Sequence, residues 1–184
     1  MNNAGTLGYP ELPDAPKVFS SGDGERYAEK AVSLFKEGCN CAQAVFTAFC
    51  DKTGFDRRTA LMLSSGFGGG MGRLREVCGA VSGMVMTASA ICGYDDLSDH
   101  GAKSRHYALV QHMCGRFREQ NGSIVCRELL GLGKGADDPA PSERTAAFYK
   151  RRPCAEYVRI AARIICETFA EYRQQNTSEA RHDY

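Results

Sequence analysis

The sequence predicts an all-α fold, a single-domain multi-helix bundle with a Gly-rich loop before its fourth helix. Three observations predict it. No proline occurs between Pro16 and Pro139, apolar residues recur along that stretch at helical spacing, and no segment carries the alternation of a half-buried strand. Residues 1–23 hold Pro10, Pro13 and Pro16 with little periodicity and read as a flexible N-terminal arm. Residues 24–175 form the helical domain, and the polar stretch 176–184 reads as a frayed tail.

The first helix follows from the stripe Ala28, Ala31, Val32 and Phe35, spaced i, i+3, i+4, i+7. Ala42, Val45, Phe46 and Phe49 repeat it in the second helix, entered through Asn40, a good N-cap after the turn at Gly38. A short third helix starts after Asp56 and covers Arg57 to Ser65. It runs into Gly66-Phe67-Gly68-Gly69-Gly70-Met71-Gly72, where five glycines in seven residues are incompatible with a regular helix. The fourth helix spans Val77 to Cys92 and ends at Gly93. A long fifth, Ser98 to Gln120, carries the stripe Tyr107, Val110, Cys114 and Phe117. Ser123 then caps a short helix ending at Gly131. The Gly/Asp/Pro-rich stretch 131–141 is a loop, Ser142 to Arg152 is another short helix, and Pro153 opens the last long one. Gly79 and Gly83, four apart, give the fourth helix a flat groove for a close helix neighbour.

Charge and hydropathy exclude several function classes. The 184 residues carry 23 basic against 22 acidic side chains, with a pI near 7.5, and so lack the positive field of a dedicated nucleic-acid binder. No apolar run approaches the ~20 residues of a membrane span, so membrane insertion is not expected. No secretory leader pattern is seen either, and the expected location is cytoplasmic. In that compartment thiols stay reduced, so nine cysteines point to buried apolar residues, metal ligation or redox chemistry before structural disulfides.

Helix geometry sorts the nine. At 1.5 Å per residue, Cys41 and Cys50 lie about 13 Å apart along one predicted helix, Cys78 and Cys92 about 21 Å, and Cys154 and Cys166 about 18 Å. Each pair is therefore split between different roles. Cys50, Cys92, Cys114 and Cys166 continue apolar stripes and read as core residues. Cys41, Cys78, Cys126 and Cys154 instead fall in the first turns of four predicted helices. A helix start favours thiolate over thiol and stabilises an anionic centre, and nearby Arg73, Arg75, Arg127, Lys150, Arg151 and Arg152 act in the same direction. Cys39, two residues before Cys41, reads as a turn residue, with a fifth ligand or a resolving thiol as the alternatives.

Several motifs are missing. No two cysteines are spaced Cys-x-x-Cys, which removes the thioredoxin-type motif, zinc-ribbon knuckles and haem attachment. His100, His106, His112 and His182 form no metal-binding pattern and read as surface residues. The glycine run does not fit Gly-x-Gly-x-x-Gly, no strand precedes it, and no Gly-Lys-Ser/Thr follows. It reads as a place where backbone comes close to a buried centre beside Cys78.

Asn40-Cys41-Ala42-Gln43-Ala44-Val45, the Gly66 to Gly72 run, Cys78-Gly79-Ala80-Val81-Ser82-Gly83, Gly122 to Gly131 around Cys126, and Cys154 ahead of a long helix resemble the redox-active C-GCAxxG-C-C protein family over residues 25–172. The family's four defining cysteines fall on Cys41, Cys78, Cys126 and Cys154. More distantly the chain resembles the non-haem part of split-Soret cytochromes, which implies an iron–sulfur cluster and a homodimer; with no attachment motif, no haem is expected. The family resemblance also implies a link to a transporter system and an unidentified redox partner.

Four thiolates suit an iron–sulfur cluster, most simply [2Fe–2S], for electron transfer or redox sensing. They also suit a dithiol/disulfide redox protein or a non-redox four-cysteine zinc module, and a purely helical interaction module is the remaining alternative.

Overall fold

A computed structural model describes residues 19–20, 22–133, 135 and 137–179, and within them the chain is helical with no strand. Residues 1–18 of the expected arm, residues 180–184 of the expected tail and His182 lie outside the described residues. Among the described residues, no helix is long and apolar enough to cross a membrane.

Helix α1 (Asp23–Lys36) buries Tyr27, Ala28, Ala31, Val32, Leu34 and Phe35, the predicted stripe with its flanks. It packs along α10 (Cys154–Glu179), whose buried Val158, Ala161, Ala162 and Ile165 face the same core. Helix α2 (Cys41–Ala48) starts from the predicted Asn40 cap. The Asn40 side chain accepts from Gln43 N–H and the Gln43 side chain accepts from Asn40 N–H, both at 3.0 Å, which satisfies two otherwise unpaired donors. α2 stops at Phe49, and Cys50 opens a separate single turn, α3 (Cys50–Thr53). Asp56 caps α4 (Arg57–Ser64) by accepting from Thr59 N–H.

The glycine run forms no regular helix, as expected. A 3-10 turn (Ser65–Phe67) leads into one irregular turn, α5 (Gly68–Met71), whose Gly69 and Gly70 have φ of 65° and 69°. Helix α6 (Gly79–Cys92) then lies against α2. A β-carbon on Gly83 would sit 2.7 Å from the Ala42 carbonyl oxygen and 3.0 Å from Val45 Cβ, so the two helices approach as closely as the predicted groove allows. α7 (His100–Asn121), capped by Asp99, packs on α6 and α10. α8 (Cys126–Leu129) and α9 (Ala146–Arg151) are short, and Thr145 caps the latter. An aromatic cluster closes one end: Tyr27 stacks on Phe49 with ring centroids 4.3 Å apart, and Phe19 stacks on Phe169.

Several expectations are corrected. The buried stripe of α7 is His106, Leu109, Met113 and Phe117, leaving Tyr107 exposed. His106 is therefore interior, bonded through Nε2 to Ser89 Oγ at 3.0 Å. Ser123 does not cap a helix; its hydroxyl accepts from the N–H of Val125, two residues on, and Val125 occupies the cap of α8. Of the four cysteines assigned to the core only Cys166 is fully buried. Cys50, Cys92 and Cys114 are partly exposed, Cys50 because α2 breaks before reaching it.

Candidate functional site

Cys41 is the first residue of α2, Cys78 the cap of α6, Cys126 the first residue of α8 and Cys154 the first of α10. All four line one cavity of about 310 Å³. Helix starts from four separate parts of the chain thus converge on a single volume. Cys39 does not line it; its N–H donates to Leu34 O and its carbonyl accepts from Arg144, the pattern of a turn residue.

Two local devices hold the cysteines. The first is a short antiparallel pairing of residues 75–78 with 124–127. Val77 bridges Val125, Cys78 N–H donates to Ile124 O at 2.8 Å, Cys126 N–H to Glu76 O at 2.6 Å, and Arg127 N–H to Arg75 O at 3.1 Å. This ladder makes Cys78 and Cys126 neighbours. The second is the meeting of the starts of α2 and α10 at the cavity, which brings Cys41 and Cys154 near enough for each thiol to set the other's proton affinity. Tyr157 then ties α10 to α8 by donating to Leu129 O at 3.0 Å.

The glycines explain how the backbone reaches the site. A β-carbon on Gly70 would lie 2.6 Å from Cys126 Cβ, and one on Gly79 3.1 Å from Cys41 Cβ. Between these glycines the chain is unusual: Met71, Arg73 and Arg75 all have positive φ, at 62°, 69° and 63°. Each such residue costs about 1–2 kcal/mol. Surrounding bonds hold them there, since Glu76 N–H donates to Gly70 O and Asp137 N–H to Arg73 O, both at 3.1 Å.

The electrostatics separate the thiols. The hydrogen bond from Cys41 pulls Cys154 down to about 7 against its burial, with Arg152, Arg75 and Arg144 helping. The same bond holds Cys41 well above the ordinary thiol range, aided by burial and its thiol neighbours. Burial pushes Cys78 up to about 12, opposed by the N–H groups of Ala80 and Val81 at the start of α6. Burial also raises Cys126, opposed by Arg75, whose Nη1 lies 3.8 Å from the sulfur.

Of the predicted cations, Arg73, Arg75 and Arg152 line the cavity. Lys150 and Arg127 do not, and Arg127 bonds Glu76 and Leu74 O instead. Arg151 has no described side chain. Sequence reasoning missed Arg144, whose Nη1 and Nη2 donate to Phe35 O and Cys39 O at 2.5 and 2.8 Å and fix the connector before Cys41. It also missed Asp137, which pairs with Arg73 and Arg75, and Tyr157. No motif marks them; the Asp137 segment signals only a loop. Among the described residues, no group of three or more His, Cys, Asp or Glu is arranged to hold a single metal ion.

No curated protein and no solved structure matches the chain. A family described as "Putative redox-active protein (C_GCAxxG_C_C)" matches residues 39–168, a span that contains all four cavity cysteines and the glycine run between the first two. The chain therefore belongs to the C_GCAxxG_C_C family.

Proposed function

We propose that Cys41, Cys78, Cys126 and Cys154 hold an iron–sulfur cluster used for one-electron transfer or redox sensing. The observation that carries this reading is the convergence of four thiols on one cavity, where no carboxylate or imidazole competes among the described residues. The donor set suits such a group: thiolates are its usual ligands, and two serve each iron of a [2Fe–2S] centre. Four thiolates also suit tetrahedral zinc, and stoichiometric zinc with no iron, sulfide or redox-linked spectral change would favour that reading instead. The chain's own groups compensate negative charge. The N–H groups of Ala80 and Val81 face Cys78, and the Arg75 guanidinium faces Cys126. When bound, the cluster supplies exchange of single electrons.

Anaerobic purification with visible absorption and iron and sulfide analysis tests the reading. Replacing any one of the four cysteines by serine is expected to abolish stoichiometric iron and sulfide, while Cys92→Ala leaves them intact. Protein free of iron after reconstitution would overturn it.

A second reading is favoured by Cys41 and Cys154 lining the same cavity with opposed proton affinities, Cys154 lowered and Cys41 raised. A Cys154 thiolate that attacks a disulfide of a small molecule or protein forms a mixed disulfide and expels one thiolate. Attack by Cys41, after loss of its proton, then forms the Cys41–Cys154 bond and releases the second. Differential alkylation of oxidised and reduced iron-free protein tests this: a reversible pair confined to Cys41 and Cys154 supports it, and no reversible pair counts against it.

A further inference from the structure

We infer that Arg75, aimed by Asp137, is a positioning residue that raises the reduction potential of the four-cysteine centre through Cys126; the inference rests on the iron–sulfur reading above. The Arg75 side chain is only 3% exposed. Its Nε and Nη2 both donate to Asp137 Oδ2, the former at 2.9 Å, which leaves Nη1 directed at Cys126 Sγ, 3.8 Å away. One planar fork thus joins a carboxylate on the 131–141 loop to a sulfur at the start of α8. A lysine, with a single nitrogen, cannot span both.

The surroundings fix that aim. Arg75 keeps a left-handed backbone, and its carbonyl accepts from Arg127, the residue after Cys126. Asp137 is itself held, because Arg73 Nη2 reaches the same oxygen at 3.3 Å and the Asp137 N–H donates to Arg73 O. Two guanidiniums share one carboxylate, so the trio carries a net positive charge beside the sulfur. The other cavity arginines with described bonds are used differently: Arg73 also donates to Asp138 O and Ser142, and Arg144 donates to Phe35 O in the last turn of α1 and to Cys39 O in the connector after it.

A cation fixed beside a ligating sulfur stabilises the state with the extra electron more than the state without it, and burial limits screening by salt. Hydrogen bonds to cluster sulfurs and local charge are the protein's means of setting a potential. Arg75 meets both conditions at one atom.

The test is a redox titration of the reconstituted full-length protein, followed by visible absorption and EPR. With iron content unchanged, Arg75→Gln is expected to lower the equilibrium constant for reduction about tenfold, a potential about 59 mV more negative for one electron. Arg75→Lys, which keeps the charge and loses the fork, is expected to fall between the two. An Arg75→Gln potential equal to that of the unaltered protein overturns the inference. If Arg75→Gln does not fold, Arg75→Lys decides: a potential below the unaltered protein's supports the inference and an equal one overturns it. Absence of iron from the unaltered protein under every condition sinks the cluster reading alone. Arg75 is then read in iron-free reduced protein by the alkylation rate of Cys126 relative to Cys78 at pH 7. A ratio lowered about tenfold by Arg75→Gln and partly restored by Arg75→Lys supports its hold on Cys126, and an unchanged ratio overturns it.

Discussion

The backbone N–H of Cys126 donates to the carbonyl of Glu76 at 2.6 Å, and Gly70 sits so close to this pairing that a side chain there would meet both partners. A β-carbon on Gly70 would lie 2.6 Å from Cys126 Cβ and 2.9 Å from Glu76 N. Gly70→Ala should therefore displace the Cys78–Cys126 ladder, at a cost of about 1–3 kcal/mol for overpacking plus about 1 kcal/mol for its positive φ. Gly122→Ala is the control, because Gly122 also has positive φ but has open space around it. Urea midpoints and iron loading after reconstitution are the readouts. Gly70→Ala should lose both and Gly122→Ala only about 1 kcal/mol of stability; equal iron loading in the two variants would refute the steric argument.

Two thiols outside the site, the buried Cys166 and the partly buried Cys92, make the fold sensitive to alkali. Burial pushes Cys92 and Cys166 up to about 12, whereas an unfolded thiol loses its proton near 8.5. Between about pH 8.5 and 12 the folded state thus binds more protons than the unfolded state, and stability falls as pH rises. The urea midpoint should decline from pH 8 to 10, and the double replacement Cys92→Ala, Cys166→Ala should flatten that decline. An unchanged slope in the double variant would assign the effect elsewhere.

Much of this site is legible in the sequence because helix starts are marked by local chemistry. Asn40 announces α2 and Pro153 announces α10, so Cys41 and Cys154 are placed by helix-start signals alone. The register of α7 is not legible in the same way. The stripes Tyr107, Val110, Cys114, Phe117 and His106, Leu109, Met113, Phe117 share their last member and differ by one residue before it. Both have helical spacing, and only packing against α6 and α10 chooses the second. Asp137 and Arg144 are invisible for a different reason. Asp137 lies in a loop and Arg144 in the predicted Ser142–Arg152 helix, which in fact begins at Ala146; their roles arise from bonds to residues brought close by the fold.

The interior position of His106 gives stability an acid limb. Burial lowers its pKa, so as pH falls through about 6.5 the unfolded chain takes up the proton first. The unfolded state then binds more protons, and stability falls as pH falls. The urea midpoint should decrease between pH 7 and pH 5.5, and His106→Leu should remove this part of the dependence whatever it does to absolute stability. A slope unaltered by the substitution would mean that other groups carry it.

Cys154 should be the most reactive thiol of the iron-free, reduced protein. Its thiolate is favoured first by the hydrogen bond from Cys41 and then by Arg152, Arg75 and Arg144, which together bring it down to about 7. Cys78, in the same cavity, is held up to about 12. Since the thiolate is the nucleophile, iodoacetamide at pH 7 should label Cys154 well before Cys78, Cys92 or Cys166, as peptide mapping would resolve. Cys41→Ala removes the donor and should slow Cys154 several-fold at that pH, with the half-maximal rate moving to higher pH. Arg152→Gln should act in the same direction but less strongly, because its guanidinium acts on Cys154 through charge, without a hydrogen bond to the sulfur. Equal labelling of Cys154 and Cys78, or a Cys41→Ala variant with an unshifted profile, would show that Cys41 does not lower the Cys154 thiol.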